Sequence, residues 1–141
     1  MSYNILVVDD SLPMRSIIIK TIKASGFKTS NFFEAGNGAE ALEVLKNQWL
    51  DLVITDYNMP GMNGMELIRE MKKDSIFNSI PVLVVSTEGS RQKMKEFQEK
   101  GVADYIRKPF VPEEIKLKIT QILGEVEDEE CFEESDDDLD F

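Results

Sequence analysis

The sequence predicts an α/β fold, a doubly wound parallel sheet of five strands with five helices, and three observations predict it. Five short apolar runs alternate along the chain with stretches whose apolar residues recur at helical spacing, the pattern of strand–helix units laid in parallel. The central runs, Leu52-Val53-Ile54 and Val82-Leu83-Val84-Val85, are continuously apolar rather than alternating, as strands covered on both faces should be. The chain has 141 residues, 42% of them hydrophobic, enough for the core of one ordinary domain.

Taken in order, Ile5-Leu6-Val7-Val8 is the first strand. Met14, Ile17, Ile18 and Ile22 then fall at helical spacing, with Pro13 suited to a first helical turn. A weaker strand spans Ser30 to Phe33. Gly38 precedes a helix with Ala41, Leu42 and Leu45 on one face. Leu52 to Thr55 is the third strand, and Leu67, Ile68 and Met71 mark the next helix. Pro81 to Val85 is the fourth strand. Met94 and Phe97 suggest a helix ending at Gly101, Ala103 to Ile106 is a short fifth strand, and Ile115, Ile119, Ile122, Leu123 and Val126 stripe a last helix. No internal repeat or interdomain linker interrupts the series.

Composition excludes several function classes. No apolar run approaches the roughly 20 residues of a membrane span, and Met1-Ser2-Tyr3-Asn4 lacks the features of a signal peptide. The one cysteine, Cys131, cannot form an internal disulfide, which fits a cytoplasmic location. With no histidine, zinc sites with imidazole ligands and Ser-His or Cys-His catalysis are ruled out. The net charge of −11 is local. Of the 27 acids, eleven lie from Glu125 onward, where no Lys or Arg occurs, leaving 16 acids against all 16 bases in residues 1–124. Neither part offers the basic face that nucleic acids require. The expected division is a domain over residues 1–126 and an acidic tail over 127–141.

Chemistry-bearing residues collect after the strands. Asp9-Asp10 follow the first, Asp56 the third, Ser86-Thr87-Glu88 the fourth and Arg107-Lys108-Pro109 the fifth. In open parallel sheets, ligands bind at the carboxyl ends of the strands, where the strand order reverses. If the order is 2-1-3-4-5, three carboxylates crowd one pocket with hydroxyls and a lysine beside them. Each residue alone has a plain reading: a turn acid, a strand-end hydroxyl, a solvated charge. Their joint occurrence, each after a different strand, points to a site. Crowded carboxylates raise one another's pKa unless a cation relieves them, and hard oxygen ligands without His or Cys favour Mg²⁺ or Ca²⁺, with few ligands on an open loop favouring Mg²⁺. A carboxylate can also act as a nucleophile toward phosphorus.

Val7-Val8-Asp9-Asp10, Asp56-Tyr57-Asn58-Met59-Pro60-Gly61-Met62-Asn63-Gly64, Val85-Ser86-Thr87-Glu88 and Lys108-Pro109-Phe110 together resemble the response-regulator receiver family, and within it the stand-alone chemotaxis regulators of the CheY type. The resemblance covers residues 3–124. It implies a flavodoxin-like sheet of order 2-1-3-4-5. It implies that Asp56 accepts a phosphoryl group from a histidine kinase and that Lys108 pairs with a phosphoryl oxygen. Mg²⁺ would bind Asp10 and Asp56 directly, Asp9 mostly through water, and the backbone carbonyl of Asn58. Ser86 aligns with the family's Ser/Thr hydroxyl and Tyr105 with its aromatic switch position. Thr87 would point away, because strand side chains alternate. Asn58 and Glu88 would tune the attack of water. The Lys108-Pro109 bond is expected to be cis.

The implied function is a monomeric phospho-acceptor switch, not an enzyme acting on a separate substrate, although it would catalyse its own phosphorylation and dephosphorylation. Its target would be a flagellar motor switch protein on the face of helix four, strand five and helix five, with a phosphatase as a further partner. A phosphorelay intermediate or phosphate sink would share nearly every motif. A haloacid-dehalogenase-type phosphatase would need an acid where Asn58 stands, and a binding module independent of phosphorylation would be expected to have lost one of the site residues. The acidic tail departs from the family pattern. Its ending in Leu139-Asp140-Phe141 looks like acidic, Phe-terminated docking peptides and suggests a tail that folds back on the output face.

Overall fold

A computed structural model describes residues 3–27, 30–57, 59, 61–87, 91–99, 101–108 and 110–123. Five strands, β1 (Asn4–Val8), β2 (Asn31–Ala35), β3 (Leu52–Asp56), β4 (Val82–Ser86) and β5 (Asp104–Arg107), alternate with five helices, α1 (Leu12–Ile22), α2 (Gly38–Asn47), α3 (Gly64–Lys73), α4 (Arg91–Glu99) and α5 (Pro112–Leu123). A short turn over Lys23–Phe27, broken by Gly26 at φ of 110°, follows α1. All strand pairs are parallel, in the order β2-β1-β3-β4-β5. Fold class and strand order are those the sequence led us to expect. The weak second strand begins one residue later and ends two residues later than its apolar pattern suggested, because Glu34 and Ala35 continue the ladder opposite Val7 and Val8.

The continuous apolar runs are explained by two cores. Side chains alternate across the sheet, so Leu6, Val8, Val53, Val82 and Val84 face one layer while Ile5, Val7, Leu52, Ile54, Leu83 and Val85 face the other. The first layer is completed by Ala41 and Leu45 of α2 and by Leu67, Ile68 and Met71 of α3. The second is completed by Ile18 and Ile22 of α1 and by Ile115 and Ile119 of α5. In α1 the stripe is narrower than expected. Ile18 and Ile22 are buried one turn apart, whereas Ile17 points off the face and is 50% exposed. Val126 lies outside the described residues.

Side-chain caps start the helices where the strands end. Ser11 accepts the Met14 N–H, Asn37 accepts the Glu40 N–H, and Asn63 and Glu66 form a reciprocal capping box. Three of the loops above the carboxyl edge of the sheet are therefore pinned at their far ends. Among the described residues no helix is long and apolar enough to cross a membrane.

Ile68→Ala, which empties a fully buried position between α3 and the sheet, should cost about 2–5 kcal/mol. Ile17→Ala should stay within about 0.5 kcal/mol. Urea denaturation of both variants checks the assignment of the α1 face.

Candidate functional site

Asp9, Asp10 and Asp56 come together at the carboxyl edge of the sheet, where β1 and β3 are neighbours. One carboxylate oxygen from each lies within 4.8 Å of the others. Asp9 is held by backbone on both sides: its N–H donates to the Ala35 carbonyl, extending the ladder with β2, and its Oδ1 accepts the Ser11 N–H at 2.9 Å. It is only 2% exposed, while Asp10 faces solvent. Asp56 is the last residue of β3, opposite Val85, and its Oδ1 accepts the Tyr57 N–H at 2.8 Å.

Lys108 reaches this group from beyond β5. Its Nζ lies 3.3 Å from Asp9 Oδ2 and 3.5 Å from Asp56 Oδ1, with the lysine side chain 15% exposed. Its backbone N–H donates to the Ser86 carbonyl at 2.8 Å, which ties the end of β5 to the end of β4. Ser86 is fully buried and Thr87 is exposed, so the two hydroxyls are separated by alternation as expected. Tyr105 pairs with Val84, is half-buried, and packs against the α2/α3 core. Asn58, Glu88 and the Lys108-Pro109 bond lie outside, or partly outside, the described residues.

The loop after Asp56 is shaped by two glycines for different reasons. Gly61 has φ of 76°, the left-handed region that other residues avoid. Gly64 owes its place to close approach rather than to a turn. A Cβ there would sit 2.4 Å from the Asp56 carbonyl oxygen and 3.1 Å from Tyr57 Cα. Its N–H also donates to the Tyr57 carbonyl at 2.9 Å, so α3 begins directly against the backbone of Asp56. Met59 and Met65 are buried in the core on either side of the loop. Met62 lies so near Gly38 that a Cβ on that glycine would come 2.5 Å from Met62 Cγ.

Two supporting features escaped the sequence reading. Arg15, in α1, donates from its guanidinium to the Asp9 carbonyl and pairs with Glu34 of β2 at 2.9 Å. It fixes the backbone between the two acids of the pair, and only the fold brings Glu34 beside it. The Asn63–Glu66 capping box was legible as a short motif ahead of an apolar helix face.

The electrostatics of this cluster suit a cation. At an effective dielectric near 20, two unit charges at 4.8 Å, the outer limit of this cluster, repel by roughly 3 kcal/mol, and the Lys108 ammonium reaches two of the three carboxylates, Asp9 and Asp56. Burial holds the Asp56 carboxyl above the usual carboxylate range. Asp9 pushes it the same way, while Lys108 and the Tyr57 N–H oppose the shift. The donor set is all hard oxygen, so it fits Mg²⁺ or another hard divalent cation.

A family model, response regulator receiver domain, matches residues 5–120. The chain is 41% identical over 121 residues to chemotaxis protein CheY1 of Helicobacter pylori, covering 85% of this chain and 96% of that protein. It is 39% identical over 122 residues to chemotaxis protein CheY of Pseudomonas aeruginosa, covering 86% and 97%. Among solved structures, chemotaxis protein CheY4 of Vibrio cholerae matches with a TM-score of 0.79 and 30% identity, over 87% of this chain and all of that one.

The raised Asp56 pKa fixes the sign of a pH effect. The folded state holds the Asp56 proton more tightly than the unfolded chain does, so ionisation costs stability. That cost is fully present above the raised folded value and absent below the ordinary value of 3.8. Without divalent cation, Asp56→Asn should therefore be more stable than the native protein by about 1 kcal/mol at neutral pH. The difference should shrink as the pH falls toward the ordinary carboxylate range. Denaturant midpoints for the two proteins across that range measure it.

Proposed function

Because the chain belongs to the response-regulator receiver family, in its chemotaxis branch of the CheY type, we propose that it is a switch loaded by transfer of a phosphoryl group from a histidine kinase to Asp56. The observation that carries this reading is the Lys108 ammonium placed between Asp9 and Asp56 beside an exposed third carboxylate. In the transfer, an Asp56 oxygen forms a bond to phosphorus while the donor's P–N bond breaks. The electron pair returns to the imidazole nitrogen, leaving an acyl phosphate on the chain. Mg²⁺ held by Asp9, Asp10 and Asp56, with the Asn58 carbonyl as the family resemblance implies, would neutralise the crowded oxygens. Lys108 leaves Asp56 to pair with a phosphoryl oxygen, and Asp9 remains beside it.

The chain's own groups then convert a local charge into a change of shape. Ser86, at the end of β4, is the hydroxyl drawn to the new phosphoryl oxygens, and the loop after β4 follows it. Tyr105, one strand over, moves into the space that loop leaves. The face of α4, β5 and α5 changes, and a partner reads the difference. Asn58 and Glu88 set the rate at which water removes the phosphoryl group.

As the family resemblance implies, the proposed target is a flagellar motor switch protein, with a phosphatase as a further partner and a cytoplasmic monomer as the working form; the chemotaxis names of the relatives are consistent with that setting. A shallow apolar pocket lined by Met14, Ile17, Thr87, Lys108 and Phe110 adjoins the acceptor and suits a protein donor. The chain alters its own carboxylate rather than a separate substrate, so we class it as a switch and not an enzyme.

Intact mass after treatment with acetyl phosphate tests the chemistry. One added phosphoryl group should appear with Mg²⁺ and be absent in EDTA and in Asp56→Asn. Labelling of Asp56→Asn to the native extent would refute Asp56 as the acceptor. Ser86→Ala should take the label but fail to strengthen binding to a motor switch protein, and a full gain in affinity would remove Ser86 from the relay.

A further inference from the structure

At the end of the sheet remote from Asp56 lies an apolar groove of about 240 Å³ between the α2–β3 and α3–β4 connections. Leu45 and Leu50 are buried in it, Phe77 and Ile80 are half-buried on its side, and Trp49 and Ile76 stand out at 78% and 65% exposure. An indole and a β-branched side chain left open beside a concave apolar surface are unusual for a single solvated face, and such surfaces mark binding sites. The charges around it are Lys46, Asp51 and Asp74, with Lys72 and Lys73 ending the helix that leads in. Asp51 accepts the Asn4 N–H and Asp74 accepts the Ile76 N–H, while Lys46 and Lys73 pair with Glu43 and Glu70 on the exposed surface and Lys72 donates to the Asn78 carbonyl.

The described chain ends at the same end of β1 but on the other face of the sheet. The Tyr3 hydroxyl donates to the carbonyl of Leu123, the last residue of α5, and the side chain of the next residue, Asn4, donates to the carbonyl of Trp49 at 2.6 Å. Leu123 and Trp49 are thus fastened to consecutive residues. Beyond Leu123 follow residues 124–141, which set Phe132, Leu139 and Phe141 among eleven acids. The nine residues from 124 to 132 span up to about 30 Å when extended, about the diameter of a domain of this size. That length lets Phe132 and the residues after it cross the edge of the sheet.

We propose that residues 131–141 seat their aromatic and leucine side chains in this groove, against Trp49 and Ile76, with their acids toward Lys46, Lys72 and Lys73. Tethering favours this occupant, since a short linker gives an effective concentration in the millimolar range. A second copy is disfavoured because each balanced body carries a tail of eleven acids, and two such tails brought together repel. Seated there, the segment holds its acids at the opposite end of β3 from the phospho-acceptor. The reading does not depend on the chemistry at Asp56.

The chain supplies its own probes, a single tryptophan in the groove and a single cysteine, Cys131, in the segment. A nitroxide attached to Cys131 of the full chain should abolish the NMR signals of the Trp49 indole N–H and the Ile76 methyls, and reduction of the label should restore them. Replacing Phe132, Leu139 and Phe141 together with Ser should prevent the loss. In the unlabelled protein, the same triple substitution should raise acrylamide quenching of Trp49 several-fold. Signal loss on the face of α4, β5 and α5, or nowhere in the described chain, would overturn the proposal. So would loss transferred from a spin-labelled copy to an isotope-labelled unmodified one, which would assign the groove to a second copy, and so would quenching that does not change.

Discussion

Repulsion among three carboxylates is the constraint to which the rest of this structure answers. Asp9, Asp10 and Asp56 stand on neighbouring strands with oxygens within 4.8 Å of one another, and one of them is almost fully buried. Nothing in their own chemistry keeps them there. The parallel ladder does, through the Asp9 bond to Ala35 and the register that sets Asp56 opposite Val85. Donors then answer the charge: the N–H groups of Ser11 and Tyr57, the Arg15 guanidinium on the Asp9 carbonyl, and the Lys108 ammonium between Asp9 and Asp56. The stability of the two apolar cores holds in place a cluster of acids that would otherwise separate.

The supports differ in kind: backbone holds Asp9 and Asp56 on one side, and a side-chain arm reaches them from the other. On the β1 and β3 side, the acids are fixed by ladder bonds, by the close approach of Gly64 to the Asp56 carbonyl, and by the Met62–Gly38 contact. On the β4 and β5 side, the ladder runs up to Ser86 and Arg107, the Lys108 N–H bonds the Ser86 carbonyl, and the lysine reaches the acids on a long arm. A new charge on Asp56 can redirect that arm without disturbing the frame behind it. On our proposal, the phosphoryl signal therefore travels toward Ser86 and Tyr105 rather than back into β1.

The sheet was legible because its strands are buried on both faces, and that leaves continuous apolar runs in the sequence. The acid cluster was legible because each acid directly follows such a run. Other features were less so. Ile17 shares the spacing of the α1 stripe but not its buried face, since a period of 3.6 residues leaves one neighbour of each buried pair outside. Gly64 looked like loop punctuation, and only the fold brings a carbonyl to where its Cβ would be. Arg15 and Glu34 are nineteen residues apart, so their pairing depends on β1 and β2 lying side by side. Trp49 carries no motif at all. Its exposure follows from the tertiary position of two loops.

The measurement that tests this account most directly is the dependence of the denaturation midpoint on Mg²⁺ for the native chain and for Asp10→Asn, the exposed acid of the three. If crowded charge is the governing constraint, Mg²⁺ should raise the native midpoint, by about 2.7 kcal/mol of stability at one hundred times its dissociation constant. Asp10→Asn should begin from a higher midpoint without the cation and gain far less from it. A native midpoint indifferent to Mg²⁺, or an Asp10→Asn variant that responds as the native chain does, would contradict the account.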